Sequence, residues 1–250
     1  MLIKLSELMK KIIIILLIVG LSACNNSKAE QSENQKDSKE VNAEEHNHPK
    51  KHKHQHAHSA NDYMHQSSTE ELIERFESKA RDEYQQPEKV LDYLGDLSGK
   101  TIMDIGSGSG YFSVKLAKKA QKVIAADVDQ TFLDYIQNRI EKDEINNIEL
   151  RKIPYDSPAL KSQEVDMVFI VNTYHHIENR EAYFGKVKEG LKTDGELVII
   201  DFFKKEIPVG PPADHKIAKD QVLEELKKTG YTSFDVNEDL LPYQYIIKAK

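Results

Sequence analysis

The chain has 250 residues and a formal net charge of −7, with 42 acidic side chains against 35 Lys and Arg. No basic stripe with interleaved aromatic residues runs through the part rich in apolar residues, so we expect no nucleic acid as a main partner. The single cysteine excludes a disulfide bond within the chain.

The N-terminal 24 residues have the layout of a secretory signal. Lys10 and Lys11 precede an apolar run over residues 12–19, which is shorter than the ~20 residues that cross a bilayer. Leu21-Ser-Ala-Cys24 then resembles the lipobox of bacterial lipoproteins, which implies cleavage before the cysteine and its acylation. We therefore expect residues 1–24 to be a lipoprotein signal peptide, Cys24 to be lipidated, and the protein to be lipid-anchored on the outer face of a bacterial envelope membrane. An uncleaved N-terminal anchor is the alternative.

Residues 25–61 are rich in Asn, Ser, Gln, Glu, Lys and His and nearly lack large apolar side chains, which predicts a disordered, His-rich tether. Alternating histidines can offer several imidazoles to one Zn, Ni or Cu ion. The candidate metal ligands are His46, His48, His52, His54, His56 and His58. Interleaved lysines would repel a bound cation, so a solvated spacer whose histidines respond to pH is the alternative.

Residues 62–250 are enough for one domain with a single core. Its first part, residues 62–98, predicts two helices. Ser68 and Glu71 have capping-box spacing, and Pro87 suits the first turn of the second helix. The apolar face of the first helix comprises Leu72, Ile73, Phe76 and Ala80. These helices either cover a ligand as a lid or pack against the sheet.

The most informative stretch is Asp104-Ile-Gly106-Ser-Gly108-Ser-Gly110, which follows a short β-branched segment and opens an amphipathic helix. Glycines let the backbone lie against a ligand, and the new helix points free N–H groups at the same place. A dinucleotide fingerprint requires a third glycine three residues after the second, and Tyr111 stands there instead. The spacing therefore favours a different nucleotide-like cofactor.

This run resembles the first motif of class I S-adenosylmethionine-dependent methyltransferases. The resemblance extends over residues 88–250, through a second strand ending in Asp127, a fourth strand before Asn172, and a helix, glycine turn and fifth strand ending in Asp201. Strands that alternate with helices fit a doubly wound α/β sheet. The resemblance implies a Rossmann-like, seven-stranded, mostly parallel sheet with a terminal antiparallel hairpin. A nucleotide-binding sheet of another kind is the alternative.

The resemblance also implies the cofactor, S-adenosyl-L-methionine, with the glycine run at its amino-acid end and the acid after the second strand at its ribose. The candidate cofactor-binding residues are Asp104, Gly106, Ser107, Gly108, Gly110, Asp127, Val128, Asp156 and Asn172. Asp156 matches the family's residue near the adenine amino group; a cap of the turn before Pro158 is its alternative role.

Tyr174, His175 and His176 follow the fourth strand, where acceptor contacts usually lie in this family. Because a histidine can act as a base near neutral pH, His175 and His176 are the catalytic candidates, and structural packing of one of them is the alternative. The loop 208–215 and the segment 241–245 resemble an uncharacterised bacterial subgroup and are expected on the acceptor side. The tyrosines of the second segment either line an aromatic pocket or pack in the core.

The sequence thus predicts an exported, membrane-tethered methyltransferase that acts on an unidentified acceptor. A small molecule is the expected acceptor, and a metalloid, a lipid or a protein side chain is the alternative. S-adenosylmethionine is made in the cytosol, however. The alternative is therefore a non-catalytic lipoprotein that handles a metal or binds a small molecule on a methyltransferase scaffold. The presence of Asp104, all three glycines and Asp127 favours a working cofactor site.

Overall fold

The computed structural model describes Asn61 and residues 66–250, all within one compact unit, His54–Lys250. The expected signal peptide with Cys24, the six candidate metal-binding histidines and all of the tether but Asn61 lie outside the described residues. None of the described helices is long and apolar enough to cross a bilayer.

The described residues form one seven-stranded sheet in the order β3-β2-β1-β4-β5-β7-β6. The strands are β1 (Thr101–Ile105), β2 (Lys122–Asp127), β3 (Ile148–Lys152), β4 (Val165–Val171), β5 (Leu191–Phe202), β6 (Phe234–Asn237) and β7 (Gln244–Ala249). Strands β1 to β5 are parallel, and β7 runs antiparallel to both β5 and β6. The predicted Rossmann-like, mostly parallel sheet with a closing antiparallel hairpin is confirmed.

Helices cover both faces of this sheet. They are α1 (Thr69–Phe76), α2 (Lys79–Gln85), α3 (Pro87–Leu94), α4 (Ser113–Ala117), α5 (Gln130–Lys142), α6 (Arg180–Gly190) and α7 (Lys219–Lys228), with single 3₁₀ turns at Tyr174–His176 and Ala213–His215. Successive side chains of a strand point to opposite faces. Met103 therefore packs in the layer with Phe184 and Val222, whereas Ile102 packs in the layer with Leu91 and Leu116. The core is a double layer with the sheet in its middle.

Two boundaries differ from the sequence expectation. The apolar face predicted to run on to Ala80 is broken after Phe76, because the Ser78 hydroxyl accepts the Arg81 N–H at 3.3 Å and starts a second helix. The fifth strand also begins before the expected glycine turn. Leu191 pairs with Val165 and Glu196 with Met167, so the residues between them form a bulge within β5 rather than a separate turn.

Candidate active site

The carboxyl ends of the parallel strands bring the predicted acidic and amide residues to one edge of the sheet. Asp104 lies near the end of β1, Asp127 ends β2, Asn172 follows β4, and Asp201 lies near the end of β5. Ligands of open α/β sheets bind at this edge. Asp156 lies exposed on the loop after β3, which leaves the sheet at the same edge.

The turn after β1 requires glycine at Gly106 and Gly108. Both have positive φ angles, +72° and +52°, which residues other than glycine adopt only with strain. A Cβ on Gly106 would lie 2.4 Å from the Thr173 side chain, and one on Gly108 would lie 3.2 Å from the Phe76 ring. The backbone of the turn therefore passes between the end of β4 and the N-terminal helices, where a side chain has no room at Gly106 and little at Gly108.

Asp127 ties this turn to β2. One carboxylate oxygen accepts the Gly108 N–H at 2.8 Å, and the other accepts the Asp129 N–H at 3.0 Å. Burial raises the pKa of Asp127, whereas these N–H donors act in the opposite direction. Each oxygen keeps a second lone pair, so the carboxylate can still accept hydroxyl groups of a ligand. The following residue, Val128, is partly buried.

Asp104 lies beneath the same turn and is 3% exposed. The Ser113 hydroxyl donates to its carboxyl group at 2.6 Å. Burial raises the pKa of Asp104 to about 6, although the Ser113 hydrogen bond and the charge of Arg81 oppose the shift. A cationic ligand group beside this carboxyl would favour its ionised form.

Helices α1 and α2 lie directly on the glycine turn. Glu77, between them, accepts the Ser109 hydroxyl at 2.6 Å and a guanidinium N–H of Arg139 at 2.6 Å. The Arg81 guanidinium stacks over the Tyr111 ring, 4.1 Å from its centroid. The N-terminal helical region is therefore attached to the turn by polar contacts, beside its packing through Phe76.

Two buried polar atoms at this turn, Ser107 Oγ and Arg81 Nε, have no hydrogen-bond partner among the described residues. An unsatisfied buried donor costs roughly 1–3 kcal/mol, so native structures rarely leave one without a role. Together with Asp104 they provide a hydroxyl, a guanidinium donor and a carboxyl. Such a set can bind a zwitterionic amino acid, whose carboxylate accepts hydrogen bonds and whose ammonium donates them.

His175 and Asp201 form a second buried group at the ends of β4 and β5. The His175 side chain is 2% exposed, and its Nδ1 lies 2.9 Å from both carboxylate oxygens of Asp201. The same carboxylate accepts the backbone N–H groups of His175 and Phe202. A carboxylate accepts only, so Nδ1 carries the proton and Nε2 is left as the basic nitrogen.

The two candidate histidines are therefore not equivalent. The His176 ring lies 4.3 Å from the His175 ring, is partly exposed, and places its Nδ1 3.0 Å from the Asn61 side-chain oxygen. The Asp201 carboxylate orients the ring of His175. Tyr174, directly before them, donates its hydroxyl to Glu225 at 2.5 Å and packs on Phe184 in the core.

Asn172 contacts a buried amide cluster that the sequence did not predict. The Gln244 amide donates to the Asn172 oxygen at 2.6 Å, and the Gln85 amide donates to the Gln244 oxygen at 3.0 Å. The cluster joins the end of α2 to the end of β4 and the start of β7. The predicted contact of Asn172 with a cofactor stays a prediction. Gln244 is fully buried, and no local sequence pattern indicates its pairing with Asn172.

The remaining predicted residues make contacts of other kinds. Asp156 uses its backbone carbonyl to accept Lys186 Nζ at 2.9 Å. Tyr245 is fully buried and donates to the Ile217 carbonyl at 3.2 Å, so it belongs to the core rather than to a pocket lining. His215 lies in the second 3₁₀ turn. Within residues 66–250, no three His, Cys, Asp or Glu side chains are grouped to hold a metal ion.

Comparison with known proteins shows which class this fold and site define. A family model described as a methyltransferase domain matches residues 96–240, more than half of the chain, and the chain belongs to that family. A solved S-adenosylmethionine-dependent methyltransferase from Aquifex aeolicus is 27% identical, with a TM-score of 0.68 over 73% of this chain and 98% of that one. A putative type 11 methyltransferase from Sulfolobus solfataricus, 21% identical with a TM-score of 0.56 over 66% of this chain and 90% of that one, shares the fold.

Curated relatives match over part of their length. Phosphoethanolamine N-methyltransferase 1 of Triticum aestivum is 36% identical over 132 residues, which are 49% of this chain and 25% of that protein. A ubiquinone biosynthesis O-methyltransferase of Acinetobacter baylyi is 26% identical over 109 residues, 43% of this chain and 46% of that protein. The chain thus spans less than half of the length of either relative.

Proposed function

We propose that the protein transfers the methyl group of S-adenosyl-L-methionine to a small-molecule acceptor at the carboxyl edge of its sheet. The observation that carries this proposal is the set of unsatisfied or protonatable groups around the glycine turn. Ser107 Oγ and Arg81 Nε lack partners, and Asp104 is a buried carboxyl with a raised pKa. These groups match the amino-acid end of the cofactor, which the family resemblance assigns to this turn.

Other residues of the edge would hold the rest of the cofactor. Asp127 is positioned by two backbone N–H groups and keeps lone pairs for ribose hydroxyls. Val128 and Asp156 follow β2 and β3, on the side expected for the adenine. When bound, the cofactor supplies a methyl group already activated on a sulfonium, so the protein has to align the acceptor and accept a proton from it.

His175 is the base in this proposal. Asp201 holds the Nδ1–H, fixes the orientation of the ring and stabilises the imidazolium that forms when Nε2 accepts a proton. The acceptor nucleophile, an O–H or N–H, gives its proton to Nε2 as it is methylated. His176 is a contact residue beside it rather than the base.

Methyl transfer distinguishes this proposal from a binding protein on the same scaffold. The wild-type chain is incubated with cofactor labelled in the methyl group and with the small-molecule fraction of a bacterial extract. We expect label in the extract and release of S-adenosylhomocysteine, both reduced about a hundredfold in His175→Ala and little changed in His176→Ala. Binding of the cofactor without transfer of its methyl group to the small-molecule fraction would favour the non-catalytic alternative.

We further propose that the protein acts in the bacterial envelope. Support comes from the sequence alone: the basic and apolar start of the chain and the lipobox-like segment ending at Cys24. A lipid on Cys24 is the proposed membrane contact, and no nucleic-acid partner is proposed. The histidines between residues 46 and 58 are proposed to bind Zn, Ni or Cu, which calorimetry on chains with and without residues 46–58 tests directly.

A further inference from the structure

The ammonium group of Lys216 is buried with most of its hydrogen-bonding capacity unused. The residue follows the second 3₁₀ turn and is 1% exposed. Within the described part of the chain, Nζ makes one hydrogen bond, to the Lys205 carbonyl at 3.0 Å. An ammonium has three N–H donors, so two are left for other partners. Lysine is almost never fully buried unless it is paired.

No described carboxylate neutralises this ammonium within ion-pair distance. The nearby charge of Asp201 favours the cation, yet that carboxylate is occupied by His175 and by the Phe202 N–H. The other acid that acts on it, Glu206, is exposed on the loop after β5. Burial lowers the pKa of Lys216, which is the cost of holding a cation without a close anion.

Lys216 lies beside the Phe202 ring, near the proposed base. Its Nζ is 5.9 Å from the centroid of the Phe202 ring, and the rings of His175 and Tyr84 lie 6.5 and 6.2 Å from the same centroid. The ammonium and the proposed base therefore lie around one aromatic ring at the end of β5.

The segment next to this ammonium contains no helix or strand. Residues 203–212 lie between β5 and the second 3₁₀ turn, and several of them are exposed. A Cβ on Gly210 would lie 2.8 Å from the Phe202 ring, so the backbone passes directly over that ring. Lys205, whose carbonyl accepts from Nζ, belongs to the same segment, so a ligand reaches the ammonium only if this segment moves.

We infer that Lys216 binds an anionic oxygen group, a carboxylate or a phosphate, on the methyl acceptor, while His175 accepts the proton of the methylated atom. This inference rests on the proposed function and narrows its substrate class to acceptors that carry an anion. The anion would accept hydrogen bonds from the two remaining Nζ donors and neutralise the buried charge. Hydrogen bonds between charged groups are stronger than those between neutral groups.

The test measures anion binding rather than turnover. The full chain in detergent is saturated with S-adenosylhomocysteine, and inorganic phosphate and acetate are titrated calorimetrically at low ionic strength. Lys216→Met removes the charge at similar length. Lys204→Met is the matched control, because Lys204 is exposed at the start of the same loop.

We expect one saturable anion site per chain, roughly tenfold or more weaker in Lys216→Met and unchanged in Lys204→Met. Tighter binding of phosphate than of acetate indicates an acceptor that carries a phosphate. Tighter binding of acetate indicates an acceptor that carries a carboxylate. Two results overturn the inference while the proposed function stands. In the first, the wild-type chain binds S-adenosylhomocysteine but neither anion; in the second, Lys216→Met binds the anions as tightly as the wild type does. Failure of the wild-type chain to bind S-adenosylhomocysteine contradicts the proposed function itself.

A measurement on the wild type decides the question if Lys216→Met loses its fold. Acetic anhydride modifies lysine amines, and peptide mass mapping gives the rate at each position. Phosphate or acetate should slow acetylation of Lys216 several-fold and leave Lys204 unaffected. Equal rates at Lys216 with and without either anion overturn the inference.

Discussion

The imidazole of His175 and the carboxylate of Asp201 form a buried pair that joins the end of β4 to the end of β5, with Nδ1 2.9 Å from both carboxylate oxygens. The two residues are 26 positions apart in the chain and meet because their strands are parallel neighbours. Their geometry fixes which ring nitrogen is protonated, and through it which nitrogen is available as a base.

The first prediction concerns that tautomer. In ¹⁵N NMR of the histidine-labelled protein at neutral pH, His175 should carry its proton on Nδ1 and leave Nε2 unprotonated. Asp201→Asn should remove this preference and lower turnover about a hundredfold or more, with cofactor affinity close to wild type. A proton on Nε2 in the wild type would exclude His175 as the base.

The second prediction concerns Asp104. Burial raises its pKa to about 6 from an ordinary 3.8, so the folded protein retains a proton that the unfolded chain releases between about pH 4 and 6. The stabilisation from the neutral carboxyl is complete below pH 4 and is lost as the pH rises through 6. Asp104→Asn keeps a neutral group at every pH. Without cofactor it should match the wild type near pH 4 and be more stable by about 1–3 kcal/mol at pH 7.5.

The same variant should bind the cofactor about tenfold more weakly at pH 7.5, because it lacks the charge that faces an ammonium group. Chemical denaturation at the two pH values and calorimetry give both quantities. A variant less stable than the wild type at pH 7.5 would show that the ionised carboxyl is satisfied within the protein.

The third prediction compares two glycines. Gly106→Ala places a Cβ against Thr173 at a φ of +72°, so we expect a loss of about 2 kcal/mol or more in the free energy of unfolding. Gly185→Ala is the matched control, because it lies inside α6 with no atom within 4 Å of the new Cβ. Gly185→Ala should raise the free energy of unfolding by about 0.5–1 kcal/mol, because alanine has a higher helix propensity than glycine. Equal effects of the two changes would remove the steric argument for the turn.

Much of the fold followed from local sequence patterns. The run from Asp104 to Gly110 and the alternation of apolar strands with amphipathic helices predicted the sheet. The break at Ser78 was missed because one apolar face continues on either side of it, and only the cap hydrogen bond to Arg81 reveals two helices.

The site was predicted less completely because its contacts join distant parts of the chain. Asp201 was predicted at the end of the fifth strand, but its pairing with His175 depends on strand register, which spacing does not show. Gln85 and Gln244 are 159 positions apart, and the burial of Lys216 depends on how an irregular loop folds back. No local pattern carries such information.

The fourth prediction concerns the chain terminus. If Cys24 is acylated after signal cleavage, mass spectrometry of the protein from a bacterial host should show a lipid-modified N-terminal cysteine. Cys24→Ser should instead accumulate as an unacylated precursor with Met1 intact. The same Met1 terminus in the wild type would contradict processing at this position.

Cofactor binding tests the central claim most directly. Calorimetric titration of S-adenosyl-L-methionine into residues 54–250 should show one site per chain. Arg81→Met should weaken it by roughly 1.5–3 kcal/mol, and Arg75→Met, in the neighbouring helix, should leave it unchanged. A folded wild-type protein that gives no binding isotherm, or equal affinity in the two arginine variants, would contradict the account of the glycine turn.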